Sequence, residues 1–184
     1  ATSDYPIFDA LVDEPGIKLI KGIHEGAVVA MADGYARASG KTGVIIIANI
    51  GLPNAMTQMV NSWKDRIPIL VVAASVEQDA LGRDLFQETD HVEPMTQPIT
   101  KWHWAAKTTA SIPETVRRGM KFASTSPCGP VFLSLPTNTL RAEADVIVLH
   151  LPLLDATRGL VDDAFLAGCT RKPLLVNVSR GGLV

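Results

Sequence analysis

Ile67-Pro68-Ile69-Leu70-Val71-Val72-Ala73-Ala74 is apolar at successive positions, not at alternate ones. A strand with one wet face alternates apolar and polar residues. A strand apolar throughout has both faces covered, which is the condition of a parallel sheet packed between helices. Working outward, Val44–Ala48 and Pro130–Leu135 have the same character, and Ile17–Ile23, Trp102–Ala106, Val146–Leu151 and Leu174–Val178 read as further strands. The stretches between them read as helices. Glu25–Ser39 carries Ala27, Val28, Met31, Ala32, Tyr35 and Ala36 at helical spacing, with Gly40 placed to end it in the left-handed conformation. Pro53–Trp63 carries Met56, Met59, Val60 and Trp63. Ser111-Ile112-Pro113-Glu114 reads as a capping box with proline in the first turn, opening a helix to about Ala123.

Strands alternating with helices predict an α/β fold with a doubly wound, mostly parallel sheet and helices on both faces, of the flavodoxin or Rossmann kind. Thr137–Ala144 is polar and turn-like, and Asp145 opens a strand–helix–strand unit of different character. The expected division is therefore residues 1–144 and residues 145–184. A unit of about 40 residues buries too little surface to stand alone, so Val146–Leu151 is expected to join the sheet of the first part, in the slot between Ile17–Ile23 and Val44–Ala48.

The composition sets outer limits. The chain has 184 residues, 47% hydrophobic and 20% charged, with a formal net charge of −2. Such a balance offers no basic footprint for nucleic acid or anionic membrane. The longest apolar runs are far shorter than a spanning helix. The start, Ala1-Thr2-Ser3-Asp4, has neither the basic nor the apolar region of a signal peptide, and it lacks an initiator Met, as a processed, trimmed or engineered chain would. Cys128 and Cys169 are distant and suit a reducing, cytoplasmic setting.

Chemistry is sparsely marked. There is no Gly-x-Gly-x-x-Gly, no P-loop, no Gly-Asp-Gly and no Gly-x-Ser-x-Gly. His24, His91, His103 and His150 do not stand at metal-ligand spacing, so no metal site is expected. The segment that stands out is Gly22-Ile23-His24-Glu25-Gly26-Ala27, which puts a carboxylate where a buried strand turns into a helix. Glu25 reads either as a first-turn acid favoured by the helix dipole or as a catalytic carboxyl at the carboxyl edge of a parallel sheet, where α/β sites collect. His24 reads as a buried, hydrogen-bonded histidine. Trp102 and Trp104 read as core or interface residues.

From His24 to Arg37 the sequence His-Glu-Gly-Ala-Val-Val-Ala-Met-Ala-Asp-Gly-Tyr-Ala-Arg resembles the signature of the pyrimidine-binding domain of thiamine-diphosphate enzymes. The register continues through Gly51-Leu52-Pro53-Asn54-Ala55-Met56, Asp65–Ala73, Phe86-Gln87-Glu88-Thr89-Asp90, Pro98–Trp102 and Gly129–Pro136. The resemblance covers residues 1–144 and is to the benzoylformate decarboxylase and acetolactate synthase type. It implies that Glu25 hydrogen-bonds N1′ of the cofactor's aminopyrimidine and favours the imino tautomer, whose nitrogen removes the thiazolium C2 proton. A carboxylic acid that donates a hydrogen bond must keep its proton; burial favours this and the helix N-terminus opposes it.

By the same resemblance Gly51 and Asn54 line the cofactor pocket, against the plainer reading of a glycine turn and a helix-start polar residue. Gln87 and Glu88 belong to a loop facing the active site, against the plainer reading of a solvated loop. Benzoylformate decarboxylases carry a histidine where this chain has Ile47 to Asn49. The family's diphosphate and Mg²⁺ are held by a separate domain with a Gly-Asp-Gly motif, and the site forms between subunits. The resemblance therefore implies thiamine diphosphate with Mg²⁺ only when a complementary domain is supplied, and a homo-oligomer or a diphosphate-binding partner subunit. The family's first strand precedes Thr2-Ser3-Asp4-Tyr5-Pro6.

The tail carries a second resemblance. Asp145–Leu153, Ala156–Val161 and Leu175–Val184 are similar to part of the NAD-binding domain of D-2-hydroxyacid dehydrogenases. It implies a substrate-carboxylate role for Arg180 and a place near the nicotinamide for His150. With the glycine fingerprint absent, NAD binding is not expected. The whole reads as a composite: the pyrimidine-binding portion of a 2-oxo-acid decarboxylase or carboligase, inactive as an isolated chain, joined to a dehydrogenase-like unit. An engineered or recombined chimera accounts for this, as does a natural fusion. The rival readings are an α/β scaffold without activity and a dehydrogenase fragment.

Overall fold

β2, Ile69–Ser75, lies at the centre of a four-stranded sheet and is buried along almost its whole length. On one side it pairs in parallel with β1 (Gly43–Ala48), Ile45 opposite Val71, and on the other with β4 (Val131–Pro136), Val71 opposite Phe132. β3 (Trp102–Ala105) pairs in parallel with the outer side of β4, giving the order β1-β2-β4-β3. The computed structural model describes residues 5–12, 14–85, 87–88, 92–141, 146–149, 161 and 174–177. By contacts the chain divides into two units, Ala1–Arg141 and Ala142–Val184.

Because successive side chains of a strand point to opposite faces, β2 feeds two cores. Ile69, Val71 and Ala73 pack with Ile45 and Ile47 of β1 and with Val29, Leu52 and Met59, which come from α2 (Glu25–Ser39) and α3 (Leu52–Lys64). Leu70 and Val72 pack on the other face with Leu133, Leu135 and Ala123, the last from α5 (Ile112–Ser124). Each of the Val, Leu, Ile and Met side chains among them, fully buried, contributes about 1.5–3 kcal/mol. The sheet is therefore covered on both faces by helices, as the successive apolar positions of β2 require. The remaining helices are short: α1 (Tyr5–Val12), α4 (Val92–Thr96) and α6 (Thr137–Arg141). No helix among the described residues is long and apolar enough to cross a membrane.

Helix ends follow local chemistry. His24 caps α2, its Nδ1 accepting from the Gly26 N–H at 3.1 Å, and Gly40 closes it at φ 69°. α5 carries Pro113 in its first turn, but the capping box lies one turn earlier than the sequence suggested. Thr108 and Ser111 bond each other reciprocally around the 3₁₀ turn Thr109–Ser111. Glu114 pairs instead with Arg117 at 2.6 Å. Thr137–Arg141, expected as turn, is helical. The Thr137 hydroxyl donates to the Ser75 carbonyl at 2.8 Å and the Thr139 hydroxyl to that of Pro136 at 2.7 Å, so both threonines are buried.

Two strand expectations are corrected. Ile17–Ile23 is not a strand; Ile17, Ile20 and Ile23 are exposed. A strand exists through its ladder, and the neighbour expected between this run and β1 is not among the described strands. β5 (Val146–Leu149) does not enter that slot. It pairs in parallel with β6 (Leu174–Asn177), Val146 opposite Leu174, in a separate two-stranded sheet. A local crossover closes a shorter loop than insertion beside β1 would. The helix expected between β5 and β6 lies outside the described residues.

Candidate functional site

Four parallel strands bring their carboxyl ends to one edge. α2 leads back to the start of β1 and α3 leaves its end through the 3₁₀ turn Asn49–Gly51. Both helices therefore run against the strands and present their N-termini at the carboxyl edge, the place where open α/β sheets bind ligands.

Glu25 is the first residue of α2, and its side chain crosses to α3. The Asn54 amide Nδ2 donates to Glu25 Oε2 at 3.2 Å. Glu25 Oε1 has no hydrogen-bond partner among the described residues, and it lies directly over Gly51. A Cβ at Gly51 would stand 2.5 Å from Oε1 and 2.8 Å from Cδ and Cγ. The helix starts themselves touch, since a Cβ at Gly26 would stand 3.1 Å from the Asn54 carbonyl oxygen. Glycines at 26 and 51 are what let the carboxyl lie in this notch. Glu25 is half-buried, and His24 is exposed instead of buried, its ring used as the helix cap.

The structure thus brings Glu25, Gly51 and Asn54 together. Gln87 stands in the loop after β2, half-buried with φ 72°. Its neighbour Glu88 serves that loop. Its carboxylate accepts from the backbone N–H of Leu85 at 2.9 Å and from that of Gly82, bonds that hold it below the usual carboxylate range. His150 and Arg180 lie outside the described residues. Among the described residues no group of three or more His, Cys, Asp or Glu could hold a metal ion.

A second fastening, at the far ends of the same helices, was missed in the sequence. The Ser62 hydroxyl donates to Asp33 Oδ2 at 2.6 Å, Arg37 Nε donates to the other Asp33 oxygen, and Arg37 Nη2 donates to Asp65 at 2.6 Å. Burial pushes the Asp33 carboxyl up, but the bonds from Arg37 and Ser62 and the Arg37 charge outweigh it, leaving it below its ordinary value. Partners 28 and 29 positions apart leave no periodic signal to read.

Comparison with known proteins assigns this architecture. Residues 1–94 match the family model "Thiamine pyrophosphate enzyme, N-terminal TPP binding domain". The chain belongs to that family. It is 36% identical over 151 residues to the acetolactate synthase large subunit of Lactococcus lactis, covering 80% of this chain and 26% of that protein. It is also 36% identical over 135 residues to the isozyme 3 large subunit of Escherichia coli, covering 73% and 23%. The thiamine diphosphate-dependent 4-hydroxybenzoylformate decarboxylase of Rhodococcus jostii superposes with a TM-score of 0.74 at 26% identity, over 78% of this chain and 27% of that one. The chain spans about a quarter of the length of these relatives. Residues 129–184 also match the model "D-isomer specific 2-hydroxyacid dehydrogenase, NAD binding domain".

The residues at the notch fit the pyrimidine end of thiamine diphosphate: a carboxyl with one oxygen held by Asn54 and the other without a partner, in a space that a single Cβ would fill.

Proposed function

We propose that Ala1–Arg141 is the pyrimidine-binding portion of a thiamine-diphosphate-dependent 2-oxo-acid decarboxylase or carboligase, with Glu25 as the residue that hydrogen-bonds the aminopyrimidine. The observation that carries the reading is the Glu25 carboxyl held by Asn54 over Gly51 at the carboxyl edge of the sheet. Bound thiamine diphosphate supplies an electron sink for decarboxylation. Glu25 holds a proton toward the ring nitrogen, Asn54 fixes which carboxyl oxygen faces outward, and Gly51 leaves room for it. A carboxyl in this role is best kept from water. The chain leaves Glu25 half-buried, so a complementary surface completes the enclosure, from a second copy or from a partner that carries the diphosphate and Mg²⁺ site.

On this reading the isolated chain turns over no 2-oxo acid. Calorimetry with thiamine diphosphate and Mg²⁺, followed by addition of the diphosphate-binding portion of an acetolactate synthase, tests it. The expected result is activity only in the mixture, abolished by Glu25→Gln. Turnover of pyruvate or benzoylformate by the pure chain, sensitive to the same substitution, overturns the inactivity; a mixture indifferent to it overturns the role of Glu25. A mixture with neither binding nor turnover favours the rival reading, a recombined scaffold without activity, which draws support from the two family matches on separate stretches of the chain, residues 1–94 and 129–184. For Ala142–Val184, no glycine fingerprint is present to admit a pyrophosphate, and His150 and Arg180 are read as remnants. Micromolar binding of NADH, followed by its fluorescence, overturns that.

A further inference from the structure

The loop after β2 leaves the carboxyl edge at Ser75 and leads through α4 to β3. Its first foot is pinned to α6, the helix after β4. The Gln78 N–H donates to Asn138 Oδ1 at 3.2 Å, and Asn138 Nδ2 donates back to Gln78 Oε1 at 3.4 Å. Its second foot is α4, whose Thr96 is buried. Between the feet, Leu81 to Leu85 are all exposed. Burial of apolar surface therefore does little to fix this stretch, and its shape depends on polar contacts.

Glu88 gathers such contacts. Its Oε2 accepts from the Leu85 N–H at 2.9 Å and its Oε1 from the Gly82 N–H. The Glu88 N–H itself donates to the Leu85 carbonyl at 2.8 Å, closing the turn Leu85–Glu88. Gly82 stands at φ 81° and Asp84 at φ 55°. Left-handed residues alternating with right-handed ones turn backbone N–H groups toward one point and make a cradle for an anion. Here the chain supplies the anion itself. The bonds from Leu85 and Gly82 favour its ionised form.

Gln87 is the third residue of that turn and stands at φ 72°. A third turn position with positive φ is normally glycine or asparagine. Glutamine is disfavoured there, and such a conformation persists where neighbouring contacts impose it. Residues held in this way collect where a side chain is set for use. This one belongs to a loop rooted at the edge that carries Glu25, Gly51 and Asn54.

We propose that Glu88 is a positioning residue, whose carboxylate fills the backbone cradle of Gly82–Leu85 and thereby sets Gln87 for the 2-oxo acid. The use of Gln87 rests on the function proposed above; its setting by Glu88 does not.

The full ¹⁵N-labelled chain, without cofactor, tests the setting by NMR. In Glu88→Ala the amide resonances of Gly82, Leu85 and Gln87 should move, while those of Val71 and Leu133 in the core stay in place. Acetate should return all three toward their positions in the parent, saturably, by refilling the cradle. The parent, its cradle already filled, should not respond. A Gln87 resonance indifferent to Glu88→Ala, or moved and not restored by acetate, overturns the proposal. Glu88→Gln has nearly the same shape and no charge, and should move Gln87 in the same direction. It decides the matter if the alanine variant does not fold, and an unmoved Gln87 there overturns the proposal equally.

The mixture with the diphosphate-binding portion of an acetolactate synthase tests the use. Glu88→Ala and Gln87→Ala should each lower kcat/KM for the 2-oxo acid by about tenfold or more. Combined, they should be no worse than either alone, because one acts through the other. Additive losses, or a loss from Glu88→Ala alone, overturn the positioning role. A parent mixture without turnover overturns the use of Gln87 together with the function proposed above, and the clasp then stands or falls on the resonances of the isolated chain.

Discussion

Arg37 Nη2 donates to Asp65 Oδ2 at 2.6 Å, tying the last turn of α2 to the residue that ends α3. At their other ends the same helices are tied by Asn54 to Glu25. Two parallel helices fastened at both ends cannot slide past one another, so the network around Asp33 sets the depth at which Glu25 meets Gly51. The ion pair itself is exposed, and exposed pairs contribute little stability. Its importance is positional.

Asp33 makes this network sensitive to acid. Its folded value lies below the ordinary 3.8, so the unfolded chain takes up the proton first. The stabilisation is complete above the unfolded value and is lost as pH falls through the folded one. Asp33→Asn should cost about 1 kcal/mol at pH 7, and its difference from the parent should shrink toward zero below pH 3.8. Urea midpoints of the two proteins from pH 7 to pH 3 check this; a constant difference would contradict it.

Gly51→Ala should separate stability from geometry. Gly51 sits at φ −82°, where alanine is unstrained, and the atoms its Cβ would meet belong to the flexible end of Glu25. The side chain turns away and the fold survives, with stability changed by less than about 1 kcal/mol. The Asn54 side-chain amide resonances should move markedly while those of the core stay in place. An unmoved Asn54 would mean that the notch is looser than described.

Lys101 closes α5. Its ammonium donates to the carbonyls of Phe122 and Thr125, each at 2.6 Å, where the helix leaves its last acceptors unpaired. Lys101→Met keeps the stem and removes the charge. A loss of about 1 kcal/mol is expected, read from urea unfolding, with faster amide exchange confined to the last turn of α5.

What could be read in advance was whatever depends on a residue and its near neighbours in sequence. β2 announces a doubly covered strand because Leu70 and Val71, side by side, are both apolar; Gly40 and Pro113 mark helix ends because the backbone chemistry is their own. Ile17–Ile23 is also rich in apolar residues, although Lys18, Lys21 and Gly22 interrupt it, and it is not a strand, because a ladder belongs to two segments and none of the described strands pairs with it. Ser111 misled by a single turn, since its hydroxyl is already engaged with Thr108, donating to the Thr108 carbonyl at 2.7 Å and accepting from the Thr108 N–H. Glu25 was found through its surrounding motif, whereas its position over Gly51 emerges only when β1, α2 and α3 are brought together.

Among the described strands, the order β1-β2-β4-β3 leaves Gly43-Val44-Ile45-Ile46-Ile47-Ala48 at the margin of the sheet. Sheet margins in proteins that stay dispersed carry lysine, proline or a bulge; this one has no charge and is rich in β-branched residues, as cross-β assemblies favour. Colloidal behaviour, more than unfolding, then sets how concentrated a preparation can become. Light scattering should rise with concentration under conditions where circular dichroism stays native. Val44→Lys, at an exposed position, should postpone that rise without moving the melting temperature.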